Sequence, residues 1–462
     1  MTTNVDAVLL PGFVGTTLPD WVADRLRGGL AGVCLYGENV ESLEQVQSLI
    51  RQIRQAKPDA IVAIDEEGGD VTRLHYAEGA PYPGAALLGR IDDLDLTARV
   101  GRAVAHDLAG VGADLNLAPV ADVNSDPRNP VIGVRSFGAD PERAARHVAA
   151  FTRAHEAVGV ATSVKHFPGH GATATDSHLA LPVVDVPLDV VRTRDLPPFR
   201  AAIEAGARTV MTSHILLPQV DPTGPATFSS RILGDLLRGE LGFDGVIVSD
   251  ALDMAGASGE IGIPAAAARA LAAGCDLLCL GTGGSADQLD AIAAAVADAV
   301  DADRFADAAA RVAGLVASLR PETAPPVSGV VADRLDRGFE IADGASPAPD
   351  AVAIVVETTA NIAVGVSPWG LAAAGVPVRR IAVGEPLPAD LAPDASVLLV
   401  AKDIHRHPEI AALAELVRSS RPGSLVIDMG WPSGPVDVAT FGSSRGVGGA
   451  LLQWLDDRGW QG

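Results

Sequence analysis

The sequence predicts an α/β protein, a (β/α)₈ TIM-like barrel followed by a smaller α/β sandwich domain. Residues 6–320 alternate short apolar runs with amphipathic stretches, a segment rich in proline, alanine and serine interrupts the pattern, and a shorter alternation follows. The chain has 462 residues, 48% of them apolar, which is more than one ordinary domain needs and enough for a large core. We therefore expect a barrel in residues 1–320, a linker in 321–350 and a small α/β domain of unknown role in 351–462.

Eight apolar runs of strand length precede the proline-rich segment. They occupy residues 7–10, 32–36, 60–64, 115–120, 161–164, 209–213, 245–249 and 276–280. Amphipathic stretches at 41–55, 97–108, 141–157, 190–205 and 264–273 predict helices between them. Because apolar strands that alternate with helices indicate a parallel sheet covered on both faces, eight such units favour a closed barrel. A doubly wound open sheet is the alternative.

Polar residues directly follow several of the predicted strands. They are Asp65, Glu66 and Glu67 after the third strand, Asp122 after the fourth, Lys165 and His166 after the fifth, His214 after the sixth and Asp250 after the seventh. Since functional residues of a (β/α)₈ barrel lie at the carboxyl ends of its strands, the sequence predicts a functional site at that face.

The region after the linker shows a second, weaker alternation. Residues 352–356, 380–383, 397–401 and 424–428 predict strands, and 409–418 predicts a helix. This pattern indicates a three-layer α/β domain. Its polar run, made of Lys402, Asp403, His405, Arg406 and His407, has no recognisable spacing and is interpreted as a solvated loop.

Charge and composition narrow the classes of partner. The net charge of −23 argues against nucleic acid or an anionic membrane. No apolar run approaches the roughly 20 residues of a membrane span, and the first residues lack the features of a signal peptide. The three cysteines indicate no disulfide framework. We expect a cytoplasmic protein, a monomer or weak dimer, that acts on a small molecule.

Residues 164–182, VKHFPGHGATATDSHLALP, form the densest group of chemically useful side chains. Pro168 and Gly169 cannot continue a strand, so a polar loop is predicted over the strand's end. Asp176 lies two residues before His178 and can orient that imidazole and raise its basicity, as an acid/base histidine requires. The alternative is an ordinary turn with a solvated His178.

Two further motifs carry charged groups. In VIVSDALDM, Asp250 closes an apolar strand and fits a nucleophilic or electrostatic carboxylate; a helix N-cap fits equally, and Asp253 competes for either role. In IDEEGGDVTRL, Arg73 can return to pair with a carboxylate or a ligand. Arg135 and Lys165 add buried cations, and a salt-bridged loop is the alternative for all three.

A metal site has to be weighed as well. His166, His170, Asp176 and His178 offer ligands of the types that zinc accepts. Pro168 lies between the first two histidines, so they do not share a helix face. We expect neither a metal nor an organic cofactor.

Four motifs together resemble one family. KHFPGHG-x₄-DSH-x₃-P, IDEEGG-x₃-R, VRSFG-x-DP and VSDALDM-x-G are similar to those of the bacterial β-N-acetylglucosaminidases of glycoside hydrolase family 3, of the two-domain type. The resemblance implies a (β/α)₈ barrel and a retaining mechanism. It makes Asp250 the nucleophile and His178 the acid/base catalyst, oriented by Asp176. It also implies that the hydroxyls of the terminal sugar are held by Asp65, Arg73, Arg135, Lys165 and His166.

The resemblance predicts removal of terminal β-linked N-acetylglucosamine, from peptidoglycan-derived fragments. Most retaining glycosidases use two carboxyl groups, whereas this subgroup replaces one with a His–Asp pair. Asp70 stands where many relatives carry a basic residue, which leaves the leaving-group preference open. Phosphorolysis or a broader β-glycosidase activity is one alternative, and a non-catalytic sugar-binding protein is another. No basic cluster surrounds residues 172–175, so water is favoured over phosphate.

Overall fold

The barrel is built from eight short parallel strands. The computed structural model describes residues 4–177, 179–319, 334–360 and 362–462. The barrel strands are β1 (Leu9–Leu10), β2 (Gly32–Leu35), β3 (Ile61–Ile64), β4 (Leu115–Asn116), β5 (Ala161–Phe167), β6 (Thr209–Thr212), β7 (Val246–Val248) and β8 (Leu278–Cys279). Strands β2 to β7 pair in chain order, and β1 pairs in parallel with β8.

Two contacts close the ring. A parallel bridge between Val248 and Leu277 joins β7 to the chain entering β8. The Cys34 amide donates to the Pro11 carbonyl at 3.0 Å and so links β2 to the end of β1. The expected (β/α)₈ barrel is therefore confirmed, and the open-sheet alternative is not what the chain adopts.

Helices cover the outside of this ring. They are Asp20–Arg27, Leu43–Ala56, Ala85–Ile91, Leu94–Val111, Pro141–Val158, Leu188–Val190, Leu196–Glu204, Ala255–Ser258, Ile263–Ala273, Ala286–Ala299 and Ala302–Ser318, with π-helical turns at Val191–Asp195 and Arg231–Glu240. The helix Pro141–Val158 shows why they form: Asp140 accepts from the Glu142 amide, proline takes the first position, and Gly159 ends the helix at a φ of 87°.

Prolines explain two differences from the expected boundaries. The predicted helix 190–205 changes winding at Val191–Asp195 and restarts as an α-helix at Leu196, because Pro197 and Pro198 have no N–H for the preceding carbonyls. The predicted strand 115–120 is regular only over Leu115–Asn116; Pro119 has no N–H to donate, and the pairing with β5 continues as an isolated bridge between Val120 and Lys165.

The second domain has one six-stranded sheet. Its strands are β9 (Glu340–Ile341), β10 (Val352–Glu357), β11 (Arg379–Ala382), β12 (Val397–Ala401), β13 (Leu425–Asp428) and β14 (Val438–Ala439), in the order β11-β10-β12-β13-β14-β9. Among these strands, only β9 runs antiparallel to its neighbour. The α-helices described in this domain are Gly370–Ala373, Pro408–Ser420 and Arg445–Asp456. β9 falls within the predicted linker, of which residues 321–333 lie outside the described part. The domain limits stay a prediction.

The second domain packs against the face of the barrel where the strands end. Asp70, in the loop after β3, accepts from the Ser443 amide at 2.8 Å and from its hydroxyl at 2.6 Å. Lys402 Nζ lies 3.9 Å from the Asp70 carboxylate and 4.5 Å from the ring centroid of Trp369. The interpretation of this lysine as part of a solvated loop is wrong, because it is folded into the domain contact. Asp70 thus contributes to the contact between the two domains.

Within the described residues, no helix is long and apolar enough to cross a membrane.

Candidate active site

A cavity of about 220 Å³ opens at the carboxyl ends of the barrel strands. The predicted site residues that line it are Asp65, Arg73, Arg135, Lys165, His166 and Asp250. Other lining groups include Tyr36, Glu67, His170, Ser177, Met211, Asp253, Met254 and Cys279, with Ile362 and Ala363 from the second domain. Strand ends that are distant in sequence therefore meet here, as the geometry of a barrel requires.

The floor of the cavity is a cluster of four paired charges. Lys165 Nζ lies 2.5 Å from Asp65 Oδ1 and 2.9 Å from Glu67 Oε1. Arg135 binds the same Glu67 with two donors, Nη2 at 2.7 Å and Nε at 3.0 Å. This bidentate geometry fixes both planes. We name Asp65, Glu67, Arg135 and Lys165 the floor cluster.

Burial and charge act against each other in this cluster. Burial alone would raise the pKa of Glu67, but the charges of Arg135 and Lys165 outweigh it and hold that pKa well below its ordinary value. Burial would lower the pKa values of Lys165 and Arg135, yet their carboxylate partners raise both. All three groups are therefore ionised at neutral pH, and they present charged hydrogen-bonding groups to the cavity.

Arg73 connects the floor to the second domain. Its Nη2 lies 3.8 Å from Asp65 Oδ2 and donates to the Ala363 carbonyl at 2.8 Å. The buried Glu66 carboxylate turns the loop back toward the cavity, because it accepts from the amides of Arg73 and Leu74 at 2.8 and 2.9 Å. The salt-bridged loop of the alternative interpretation is thus present, and it is part of the cavity.

His166 is fixed by a buried carboxylate. Its Nδ1 lies 2.7 Å from Asp122 Oδ2, and its amide lies 3.3 Å from Asp122 Oδ1. Burial would raise the pKa of Asp122, but His166 outweighs that effect and lowers it. This bond occupies Nδ1, so Nε2 is the ring nitrogen through which His166 can contact a ligand.

Asp250 follows β7 directly and stands half-buried at the cavity. Its amide donates to Thr212 Oγ1 at 3.3 Å, and its Oδ1 accepts from the Ala251 amide at 2.8 Å. The next helix begins only at Ala255, with Met254 as N-cap, so the helix-cap alternative for Asp250 does not hold. Asp253 also lines the cavity and is exposed.

The loop that follows β5 carries the remaining predicted residues. Asp176 is half-buried, and its carbonyl accepts from the amides of Leu179 and Ala180 at 3.0 and 3.1 Å. Its neighbour Ser177 is buried and lines the cavity. His178 lies outside the described residues. The assignment of an acid/base pair to Asp176 and His178 therefore stays a prediction.

Sequence reasoning missed several residues of the site to different degrees. Glu67 and Asp122 stood among the polar groups at strand ends, and their positions alone could have included them. Ile362 and Ala363 gave no signal, because two apolar side chains in a loop of another domain carry no pattern. Among the described residues, which exclude His178, no group of three or more His, Cys, Asp or Glu is arranged to hold a metal ion.

Comparison with known proteins identifies the family of this chain. Residues 16–315 match the model of the glycosyl hydrolase family 3 N-terminal domain. A beta-hexosaminidase of Stenotrophomonas maltophilia (strain R551-3) is 40% identical over 278 residues, which cover 59% of this chain and 82% of that protein.

Two solved structures extend the comparison. The β-N-acetylglucosaminidase of Paenibacillus sp. str. FPU-7 is 28% identical, with a TM-score of 0.85, and the match covers 99% of this chain and 97% of the other. NagZ from Neisseria gonorrhoeae, in complex with N-trifluoroacetyl-D-glucosamine, is 34% identical with a TM-score of 0.58, over 67% of this chain and 89% of the other. The first likeness spans both domains. The chain belongs to glycosyl hydrolase family 3, and it is a glycoside hydrolase.

Proposed function

We propose that this glycoside hydrolase is a retaining exo-β-N-acetylglucosaminidase that removes a terminal β-linked N-acetylglucosamine. The observation that carries the proposal is the position of Asp250 in the same cavity as the floor cluster. Pockets for drug-sized ligands measure about 300–1,000 Å³. The cavity, at about 220 Å³, suits a single sugar ring, and this favours cleavage at a chain end. The names of the similar proteins favour an N-acetylhexosamine.

Asp250 is the proposed nucleophile. Its carboxylate attacks the anomeric carbon as the bond to the leaving oxygen breaks, and this gives a covalent glycosyl ester. The floor cluster, Arg73 and His166 bind the sugar hydroxyls and hold the ring in place for this attack. His178, oriented by Asp176, donates a proton to the leaving oxygen in the first step. In the second step, water attacks the anomeric carbon, its proton passes to His178, and the ester bond breaks to release the Asp250 carboxylate.

Replacing the nucleophile tests the proposal. Asp250→Asn should lower kcat by about 10⁴-fold or more, because an amide cannot form the ester, and the fold should be retained. Asp253→Asn is the matched control, since Asp253 lines the same cavity and stood as the rival candidate. Near-native turnover of Asp250→Asn, with loss in Asp253→Asn, would move the role to Asp253.

Water is the proposed acceptor. Arg135 and Lys165 are both engaged by carboxylates of the floor cluster, so neither presents an uncompensated positive charge to a phosphate dianion. Product analysis in millimolar phosphate decides the point. Free N-acetylglucosamine supports hydrolysis, whereas a sugar 1-phosphate as main product would show that the enzyme is a phosphorylase.

The natural substrate and setting complete the proposal. We propose peptidoglycan-derived fragments as substrates, a cytoplasmic location and a monomeric or weakly dimeric state. Release of N-acetylglucosamine from purified muropeptides, cell fractionation and light scattering would check these three points in turn.

A further inference from the structure

His170 belongs to the KHFPGHG motif but has no role in the function proposed above. It is buried, and both of its ring nitrogens are hydrogen-bonded: Nδ1 lies 2.9 Å from Thr173 Oγ1, and Nε2 lies 3.0 Å from Ser177 Oγ. Its carbonyl accepts from Asn129 Nδ2 at 2.8 Å. A ring held at both nitrogens has one defined orientation.

The backbone of His170 is anchored to the barrel. Its amide donates to Asp122 Oδ1 at 2.6 Å, and this same carboxylate fixes His166. The ring therefore connects the residues after β4 and β5 to the far part of the loop, at Ser177. Burial lowers the pKa of His170 to about 4, although Asp122 opposes the effect. The ring is thus neutral at neutral pH, and a neutral imidazole can bond two hydroxyls at once.

Ser177 has a second attachment, to the short helix Ala255–Ser258 that follows Asp250. The Gly256 amide donates to the Ser177 carbonyl at 3.1 Å. A Cβ added at Gly256 would lie 3.0 Å from that carbonyl oxygen and 3.1 Å from His214 Cβ, so the approach favours glycine. Ser177 is therefore held by its side chain on one side and by its backbone on the other, between Asp176 and the proposed acid/base residue.

We propose that His170 is a positioning residue that holds Ser177 against the cavity wall and so fixes where the adjoining Asp176 and His178 meet the leaving group. This inference rests on the proposed acid/base role of His178. His170 itself exchanges no proton with the substrate. His170 affects the first chemical step, in which the leaving oxygen is protonated. Its effect on kcat/KM is larger for leaving groups that depend more on protonation.

A pair of substitutions separates the two ring bonds. The amide of Asn reaches about as far as Nδ1 and that of Gln about as far as Nε2, so His170→Asn retains the bond to Thr173, whereas His170→Gln retains the bond to Ser177. For alkyl β-N-acetylglucosaminides, kcat/KM of His170→Asn should fall by about 30-fold. For the 2,4-dinitrophenyl glycoside, which leaves without protonation, the loss should stay below about threefold. His170→Gln should recover most of the alkyl-glycoside activity.

His147→Asn is the matched control. His147 is also buried and bonded at both nitrogens, to Thr97 Oγ1 at 2.8 Å and to Asp92 Oδ1 at 3.1 Å, but it lies between two outer helices. Its substitution should affect both substrates equally. Ser177→Ala serves as the second variant if His170→Asn does not fold, because it removes only one hydroxyl, and it should show the same dependence on the leaving group.

The outcomes are distinguishable. Loss confined to alkyl glycosides in His170→Asn or Ser177→Ala, with recovery in His170→Gln, supports the inference. Equal loss on both substrates, a raised KM on both, or no loss would overturn it. His178→Ala is measured alongside: if it too shows no dependence on the leaving group, the proposed acid/base role fails. If His178→Ala shows a loss that depends on the leaving group but the His170 and Ser177 variants do not, only the positioning role fails.

Discussion

The floor of the cavity and the loop after β5 are held in different ways. In the floor cluster, Glu67 binds both Lys165 and Arg135. The side chain of Glu67 is only 9% exposed, that of Lys165 4% and that of Arg135 5%. In the loop, Ser177 is buried and hydrogen-bonded to His170, whereas Leu179 two residues later is 70% exposed. Sugar binding is therefore assigned to a preorganised cluster of paired charges, and proton transfer to a loop that is held by hydrogen bonds such as that between His170 and Ser177.

This contrast predicts that substitutions in the two regions lower kcat/KM in different ways. A floor substitution removes groups to which sugar binding is assigned, whatever the leaving group is, so kcat/KM should fall on every substrate. A loop substitution removes proton transfer, so poor leaving groups should suffer most. The four predictions that follow run from the largest expected effect to the smallest.

Among these four substitutions, Lys165→Ala should lower kcat/KM the most. It removes the partner that Asp65 and Glu67 share, so kcat/KM should fall by about 10³-fold on all substrates, and the free energy of unfolding should fall by about 3–5 kcal/mol. Steady-state kinetics and denaturant unfolding measure the two losses. Lys57→Ala is the control, since this half-buried lysine donates to the Leu30 carbonyl at the opposite end of the barrel. A loss that depends on the leaving group would contradict the assignment.

His178→Ala should lower kcat/KM on alkyl glycosides by about 10²–10³-fold and leave activated aryl glycosides nearly unaffected. Asp176→Ala should act in the same direction but more weakly, because the imidazole remains and loses only its orienting partner. The measurement is kcat/KM on a matched alkyl and 2,4-dinitrophenyl pair. Equal damage on both would mean that the loop only shapes the pocket.

Sequence reasoning succeeded where a pattern repeats. Apolar runs separated by helices identified all eight barrel strands, and the rule of strand ends located Asp65, Lys165 and Asp250. It failed where a proline interrupts the pattern, as after β4, because Pro119 has no N–H and the pairing with β5 continues there only as an isolated bridge.

Sequence reasoning also could not predict contacts between regions that are distant in sequence. No periodicity shows that Asp70 binds Ser443 or that Ala363 accepts from Arg73, because both contacts depend on how two finished domains pack. The same holds for the bond between His170 and Ser177, in which the partners are close in sequence but the geometry is set by the turn between them.

Glu67→Gln should make the stability of the floor depend less on pH. Arg135 and Lys165 hold the pKa of Glu67 well below its ordinary value despite burial. A depressed carboxyl pKa stabilises the fold above the unfolded value of about 4.3, and this contribution falls as pH drops toward the folded value. The difference in unfolding free energy between wild type and Glu67→Gln should therefore narrow by about 2 kcal/mol from pH 6 to pH 3. A difference that widens as pH falls would contradict this account.

Asp70→Asn should have the smallest effect on catalysis. It weakens the bonds to Ser443 and removes the carboxylate charge 3.9 Å from Lys402, so the free energy of unfolding should fall by about 1–2 kcal/mol. Because Asp70 is not among the residues that line the central cavity, kcat/KM should change less than about threefold. Thermal unfolding and kinetics on one aryl glycoside are sufficient. A large change in leaving-group preference would instead indicate that Asp70 lies at the rim of the site.

The dependence of log kcat/KM on the pKa of the leaving group tests the division between floor and loop most directly. A series of aryl and alkyl β-N-acetylglucosaminides is measured with wild type, Lys165→Ala and His178→Ala. We predict a line for Lys165→Ala that is parallel to that of wild type and displaced downward, and a much steeper line for His178→Ala. A line for His178→Ala parallel to that of wild type, or a steep one for Lys165→Ala, would contradict the account.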